Sequence, residues 1–244
     1  MHFHGTPITP RAKLLELAGC CFCVSYSDPR DVEVCHEIGQ AVLLDNGAFS
    51  AWTKGRATDW PGFYSWCEPW LDFPTTWAII PDVIDGDAAA NDALIAQWPH
   101  GDRGAPVWHM HEPIDRLLAL AGDWSRVCLG SSGEYANVGD RHWRRRMDGA
   151  MDALCGDGPP PVWLHMLRGT AFAGSEYPFA SVDSTGIARN HGGDNTRGTP
   201  PKDVRRMARD IDSRQCAPRW RVSARPSEMF AQDPPLARSL TRAG

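Results

Sequence analysis

Two aspartates, Asp45 and Asp183, stand directly after short apolar runs, in the segments Leu-Leu-Asp-Asn-Gly and Ser-Val-Asp-Ser-Thr. An aspartate in such a place either caps the following turn or carries chemistry at the end of a strand. Two carboxylates that converge on one pocket suit acid–base and nucleophilic work at a glycosidic carbon. We therefore predict that Asp45 and Asp183 are the catalytic pair.

Other ionisable and polar residues also follow apolar runs. They are Asp82, His109, His111, Glu112, Ser131, Glu134, His165, Arg168 and Arg189. Because the carboxyl ends of parallel strands in an α/β barrel form one face, where the chemistry gathers, we expect these side chains around the aspartate pair.

The histidines leave a metal site open as an alternative. His2-x-His4 and His109-x-His111, together with His165, place imidazoles in pairs on one face of a strand, as a divalent metal requires. A single strand histidine is more often packed or hydrogen-bonded in the core. We therefore expect neither a metal nor another cofactor.

Short apolar runs alternate with helical patterns along the chain. Strands are predicted at residues 20–25, 41–44, 76–81, 105–109, 126–129, 161–165 and 179–182, with 2–6 as a weaker eighth. Helices are predicted at 87–98, 113–124, 140–154 and 201–213, and Asp28-Pro29 is expected to cap and start another. Continuously apolar strands that alternate with helices favour one (β/α)₈ TIM-type barrel; an open doubly wound sheet is the alternative.

Charge is unevenly distributed along the chain. Residues 201–244 carry 10 Lys and Arg against 5 Asp and Glu, whereas residues 1–100 carry 5 against 13. We assign residues 1–215 to the barrel domain and 216–244 to a basic C-terminal extension. The basic end is either a solvated helix and tail or a surface for nucleic-acid phosphates, for which Arg197, Arg205, Arg206 and Arg209 are the candidates.

The composition predicts a cytoplasmic protein without a membrane partner. There is no run of roughly 20 apolar residues and no basic, apolar leader at Met1. Eight scattered cysteines are typical of free thiols, and the CxxC spacing of Cys20 and Cys23 has no second pair and is typical of a strand core. The chain has no P-loop, no G-x-G-x-x-G and no HExxH motif, which disfavours nucleotide-hydrolysing and dinucleotide-dependent enzymes.

Five segments in order resemble the tRNA-guanine transglycosylase superfamily, most closely its phage and prophage DNA-modifying branch. Residues 45–49 (Asp-Asn-Gly-Ala-Phe) resemble the segment that supplies a catalytic aspartate and a stacking phenylalanine, here Asp45 and Phe49. Residues 81–84 (Pro-Asp-Val-Ile) resemble the segment whose aspartate, here Asp82, holds the guanine edge.

The remaining three segments complete the resemblance. Residues 129–134 resemble a Gly-rich turn that reads the base, which implies roles for Gly130, Ser131 and Glu134. Residues 163–166 (Trp-Leu-His-Met) occupy the place of a strand whose methionine, here Met166, packs beneath the base. Residues 182–190 resemble the nucleophile segment and imply Asp183 as nucleophile. The same comparison adds His109, His165 and Arg189 to the expected substrate-binding residues.

Departures from the family pattern concern the nucleic acid. The tRNA-modifying members carry a C-terminal zinc cluster and a longer chain, whereas here only Cys216 lies beyond residue 155. The fifth strand ends in His-Met-His-Glu where the tRNA enzymes place a glutamine. The resemblance therefore implies an enzyme that replaces guanine in DNA, rather than tRNA, by a free 7-deazaguanine such as 7-cyano-7-deazaguanine, with a homodimer or accessory modification proteins as further partners.

Three other functions remain open. The first is the same base exchange on RNA. The second is an amidohydrolase-type barrel that uses a metal held by His2, His4, His109 and Asp183. The third is a non-catalytic nucleic-acid-binding subunit, against which the presence of carboxylates at both 45 and 183 argues.

Overall fold

Parallel strands form a single sheet in the computed structural model, which describes residues 1–192 and 200–222. The strands are β1 (His2–Gly5), β2 (Cys21–Ser25), β3 (Ala41–Asp45), β4 (Thr76–Ile79), β5 (Gly104–Ala105), β6 (Val107–His109), β7 (Arg126–Gly130), β8 (Trp163–Met166) and β9 (Ser181–Ser184). Their order is β5-β4-β3-β2-β1-β9-β8-β7-β6, and every neighbouring pair is parallel.

The two edge strands of this sheet are separated by one residue, Pro106. β5 pairs with β4 and β6 pairs with β7, so the segment 104–109 joins the two ends of the sheet. Pro106 has no N–H to donate, yet its carbonyl accepts a hydrogen bond from Cys128 N at 2.8 Å. The result is a nearly closed, nine-strand parallel barrel in one α/β domain.

Helices follow most strands. They are α1 (Arg11–Leu15), α2 (Val32–Ile38), α3 (Ala48–Thr53), α4 (Trp60–Leu71), α5 (Ala88–Gln97), α6 (Ile114–Asp123), α7 (Arg141–Cys155), α8 (Gly186–Asn190) and α9 (Val204–Asp212). The helices predicted at 87–98, 113–124, 140–154 and 201–213 are confirmed within one to three residues. Asp87, Asp140 and Asp203 each cap a helix by accepting a backbone N–H.

The start of α2 was predicted wrongly. The helix begins at Val32, not at Pro29, because the carboxylate of Asp28 binds the guanidinium of Arg30 at 2.7 Å and does not cap the helix. The strand predicted at 179–182 lies two residues later, at Ser181–Ser184.

Sequence reasoning missed the twelve-residue helix α4. Pro61, Gly62 and Pro69 are helix breakers in most contexts and hide its pattern. Pro61 is tolerated in the first turn, where the Asp59 carboxylate accepts the N–H of Gly62 at 3.0 Å.

Residues along each strand alternate between the barrel interior and the layer beneath the helices. The interior holds an apolar cluster made of Phe3, Cys21, Cys23, Ala41, Leu43, Trp77, Ile79, Ala105, Val107 and Cys128. The residues between them, such as Phe22, Leu44 and Val182, pack outward against the helices. This cluster fills the interior beneath the strand ends, so polar groups at those ends sit on a closed apolar floor.

The segment after α9 packs against the barrel. Trp220, in the predicted C-terminal extension, is buried, stacks on Tyr177 with ring centroids 5.6 Å apart and donates its indole N–H to Asp152 at 2.6 Å. None of the helices in the described ranges combines the length and apolar character needed to cross a bilayer. All eight cysteines lie within those ranges, and each is a free thiol, as predicted.

Candidate active site

The inward-facing ends of several strands form one polar layer at the carboxyl mouth of the barrel. Ser25 ends β2, Asp45 ends β3, His109 ends β6, Gly130 ends β7, and Asp183 lies next to the end of β9. Parallel pairing places all these ends on the same side, which is where such barrels carry their chemistry. The structure therefore brings Asp45 and Asp183 to one mouth.

Asp45 has an acid–base character that is unusual for an aspartate. The pKa of its carboxyl is raised to about 6: burial is the largest cause and the charges of Asp183 and Asp82 add to it, while hydrogen bonds from Ser25 and Gly47 oppose it. The Gly47 N–H donates to Oδ2 of Asp45 at 3.3 Å. A carboxyl with this pKa exchanges protons readily near neutral pH, as general acid–base catalysis requires.

Asp183 is held as an oriented acceptor. Its Oδ1 accepts the backbone N–H of Arg168 at 2.7 Å and lies 3.4 Å from Nε2 of the buried His165. His165 Nδ1 meets the hydroxyl of Ser181 at 2.8 Å, and that oxygen also accepts the indole N–H of Trp163. Asp183 Oδ1 thus has a backbone donor, while the buried Nε2 of His165 lies close to it without making a hydrogen bond in the described structure.

A third carboxylate, Asp82, is tied between two strands. Its Oδ1 accepts an amide N–H from Asn46 at 2.8 Å, and its Oδ2 lies 2.9 Å from Nε2 of the buried His109. Asn46 also donates to Ile80 O at 2.9 Å, which joins the loop after β3 to the end of β4. Each carboxylate oxygen has a second lone pair, so Asp82 retains the capacity to accept further hydrogen bonds.

Two buried thiols form part of the floor below the carboxylates. Burial, with the charges of Asp183 and Asp45, raises the pKa of Cys23 well above its ordinary value. Burial and the charges of Asp183, Asp82 and Asp45 do the same for the pKa of Cys128. Both side chains are therefore neutral thiols at physiological pH and are not nucleophiles.

Arg168 spans the mouth from β8 towards β7 and α3. Its guanidinium carbon lies 4.4 Å from the centre of the Phe49 ring, and its Nη2 donates to Ser131 O at 3.1 Å. Arg168 adopts a positive φ of 56°, which costs a residue with a side chain about 1–2 kcal/mol. Phe49 is 41% exposed, so the ring and the guanidinium present a flat stack at the entrance.

A small cavity of about 190 Å³ adjoins this entrance, next to the loop that follows Asp45. Among the residues that line it are Ser27, Asn46, Gly47, Lys54 and Arg56. Lys54 and Arg56 are both exposed and bring positive charge to this cavity.

The turn after β7 is partly as expected. Gly130 faces the interior, where an added Cβ would lie 3.1 Å from His109 Nδ1, and Ser131 is buried with its hydroxyl accepting the indole N–H of Trp143. Glu134 instead lies at the surface, with its side chain 62% exposed and 3.7 Å from His142. The structure does not bring the Glu134 carboxylate to Asp45 and Asp183.

Met166 is buried, but on the other face of β8. It packs with Trp108, Leu164 and Val182 in the layer between the sheet and the helices, whereas His165 faces the interior. Because neighbouring strand residues point to opposite faces, Met166 cannot lie beneath a base that contacts Asp183. The prediction that Met166 packs beneath the base is therefore wrong.

Arg189 and the described residues that were predicted to bind nucleic acid lie on α8 and α9, the helices that follow β9. Arg189 is exposed on α8. Val204 and Ala208 of α9 pack onto the barrel, and Arg205, Arg206 and Arg209 are exposed. Arg205 donates to Glu16 O at 2.9 Å. Arg197 lies outside the described residues.

The histidines of β1 do not enter the mouth. Phe3 faces the interior, so His2 and His4 face outward, where both lie near Asp212 at the end of α9. His111 is also held by contacts of its own: its ring nitrogens hydrogen-bond the hydroxyl of Ser132 and the carbonyl of Gly86. The arrangement that an amidohydrolase-type metal site needs, with His2 and His4 beside His109 and Asp183, is absent from the described structure.

Ser25 and Asn46 are site residues that the sequence analysis does not single out, and Arg168 is expected near the aspartate pair but without a specific role. Asn46 stands inside the Asp-Asn-Gly motif and Arg168 follows an apolar run, so their positions carried a signal, but their partners are set by tertiary contacts. Comparisons of the chain with protein-family models, with curated proteins and with solved structures found no match. The site must therefore be interpreted from its own geometry.

Proposed function

We propose that this protein is a transglycosylase that exchanges a guanine in DNA for a free 7-deazaguanine through a covalent glycosyl-aspartate intermediate. One observation carries the proposal: at one mouth, Asp45 has a pKa near 6 while Asp183 is positioned by an N–H donor. Two carboxyls with different environments are what base displacement with retention needs, because one must shuttle a proton and the other must attack.

In the first step, a carboxylate oxygen of Asp183 attacks C1′ of the target nucleotide. The C1′–N9 bond breaks, its electron pair goes to the base, and protonated Asp45 supplies a proton to the leaving guanine. In the second step, ionised Asp45 takes a proton from the incoming base, whose nitrogen attacks C1′ and releases Asp183. The charges balance in each step, and Asp45 returns to its protonated state.

The surrounding groups are suited to a purine. Asp82 offers acceptor oxygens, and the stack of Phe49 with Arg168 presents a face onto which a base can be added. The base must leave the duplex stack to reach this mouth, as in other enzymes that act on bases.

Positive and aromatic side chains around the entrance suit a nucleic-acid strand. Trp52, 50% exposed, lies 5.9 Å from Phe49 between ring centroids, and Lys54 and Arg56 follow it. The exposed arginines of α8 and α9 offer further contacts for flanking phosphates. The preference for DNA over tRNA rests on the sequence departures described above.

For the fold, we propose that β5 and β6 are one strand interrupted at Pro106. Counted so, the barrel has eight strands and the (β/α)₈ architecture, with β4 and β7 on either side of the interrupted strand.

A base-exchange assay tests the function. The protein is incubated with radiolabelled guanine and, in parallel, with guanine-containing DNA or tRNA. We expect label to enter DNA and, in a chase, a 7-deazaguanine to displace it. Label in tRNA alone would move the proposal to RNA. No exchange with either, by folded protein that binds DNA, would favour the non-catalytic alternative.

A further inference from the structure

Three side chains with metal-ligating atoms, His4, Cys20 and Asp212, meet on the outer surface of β1, away from the carboxylate mouth, and His2 lies beside them. His4 Nε2 lies 3.1 Å from Oδ1 and 3.3 Å from Oδ2 of Asp212, and His2 Nδ1 lies 3.5 Å from Oδ1 of the same carboxylate. The Cys20 thiol lies 3.8 Å from Asp212 Oδ2. The ligand atoms of His4, Cys20 and Asp212 are all within 4.8 Å of one another.

These separations are close to the edges of a tetrahedral zinc site. Zinc bonds of about 2.0–2.1 Å to nitrogen or oxygen and about 2.3 Å to sulfur place nitrogen and oxygen ligands about 3.3 Å apart, and a sulfur ligand about 3.6 Å from its neighbours. The two contacts of one oxygen, Asp212 Oδ2, are 3.3 Å to His4 Nε2 and 3.8 Å to Cys20 Sγ, within a few tenths of an ångström of these values.

The local fold supports such a site. Cys20 precedes β2, His4 points outward from β1, and Asp212 ends α9, so three distant segments hold the three groups. His2 and His4 are buried, whereas Cys20 and Asp212 are partly exposed, which leaves a path for an ion. One neutral imidazole with one thiolate and one carboxylate carries two negative charges, which a dication compensates.

We propose that His4, Cys20 and Asp212 bind a zinc ion, with the fourth coordination position open to solvent. The site would join the start of the barrel to its last described helix, β1 and β2 to α9. It is independent of the transglycosylase proposal, because none of its ligands reaches Asp45 or Asp183. Binding would release the Cys20 thiol proton, since the thiolate is the ligand.

Metal-depleted full-length protein is titrated with zinc, and separately with cobalt as a spectroscopic probe. We expect one ion per chain, a rise in melting temperature, and a cobalt spectrum with a thiolate charge-transfer band and intense tetrahedral bands. Cys20→Ser should abolish the charge-transfer band and weaken zinc binding by about tenfold or more. Cys155→Ser replaces another half-buried thiol and should leave the charge-transfer band and the zinc affinity unchanged.

Asp212→Asn provides a second variant, since its side chain is 37% exposed and the change preserves size. It should also weaken zinc binding while the apo protein stays folded. The proposal is overturned if zinc does not bind stoichiometrically, or if it binds equally well to Cys20→Ser and Asp212→Asn. A charge-transfer band that survives in Cys20→Ser would place the ion at another cysteine and would equally overturn it.

Discussion

The backbone N–H of Arg168 donates to Oδ1 of Asp183 at 2.7 Å, and the same residue has a positive φ of 56°. The turn after β8 is thus bent into a left-handed conformation that aims an N–H at the proposed nucleophile. The side chain of Arg168 reaches back over the mouth to Phe49 and Ser131. Backbone and side chain of one residue therefore serve two parts of the site.

Arg168→Gly separates these two contributions. Glycine adopts a positive φ without strain and keeps the N–H to Asp183, so the variant loses only the guanidinium. We expect KM for DNA to rise by roughly tenfold, because about one charge-assisted hydrogen bond is lost. The rate of adduct formation at saturating DNA should be nearly unchanged. Arg168→Ala should be less stable than Arg168→Gly by about 1 kcal/mol in denaturant unfolding. Equal loss of single-turnover rate in both variants would contradict this division.

The pKa of Asp45 predicts opposite pH dependence for the two half-reactions. Guanine release needs the protonated carboxyl, so its single-turnover rate should fall as pH rises above about 6. Attack by the incoming base needs the ionised carboxylate, so that rate should fall as pH drops below about 6. Rapid-quench measurements on each half-reaction check this, and both profiles should flatten in Asp45→Asn. Profiles with the same slope would assign the proton transfer to another group.

The same raised pKa predicts a stability cost. The pKa of Asp45 is about 6 in the folded protein, above its value of 3.8 without burial. Its contribution to the free energy of unfolding is therefore fully favourable below pH 3.8, and this contribution is lost as pH rises through 6. A shift of about two units corresponds to about 3 kcal/mol at most. Asp45→Asn should therefore be more stable than wild type well above pH 6, and the gain should vanish in acid. Asp85→Asn, at an exposed aspartate, should show no such pH-dependent gain. A less stable Asp45→Asn at high pH would contradict the burial argument.

The exposed arginines of α9 predict a binding effect without a chemical effect. Replacing Arg205, Arg206 and Arg209 by alanine should lower DNA affinity and reduce the slope of log affinity against log salt by about 0.9 for each phosphate that the variant no longer neutralises. Adduct formation at saturating DNA should persist, because α9 packs on the barrel flank through Val204 and Ala208. Arg145→Ala, an exposed change on α7, is the control. An unchanged salt slope in the triple variant would mean that α9 is only solvated.

The sequence was informative about strand ends and less so about side-chain direction. Asp45 and Asp183 were predictable because a carboxylate after a buried apolar run must emerge at one end of a parallel sheet. Met166 was placed wrongly because a continuously apolar strand hides the alternation that puts His165 inward and Met166 outward. Glu134 was expected to read the base from a motif alone, and its short turn leaves it at the surface.

Contacts between distant segments could not be predicted at all. The bond from Asn46 to Asp82 depends on how β3 and β4 align, and the group around Asp212 joins residues about 200 positions apart. The helix α4 was missed because its prolines and glycine oppose helix propensity, which packing of Phe63, Cys67 and Leu71 overcomes.

Covalent trapping on Asp183 tests the central claim most directly. The protein is mixed with guanine-containing DNA, without an incoming base and with the released guanine removed, then denatured and resolved by mass. We predict a protein–DNA adduct on Asp183 in the wild type and none in a folded, DNA-binding Asp183→Asn. In Asp45→Asn the adduct should form about 10²–10⁴ times more slowly. An adduct of equal yield in Asp183→Asn, or one mapped to another residue, would contradict the account.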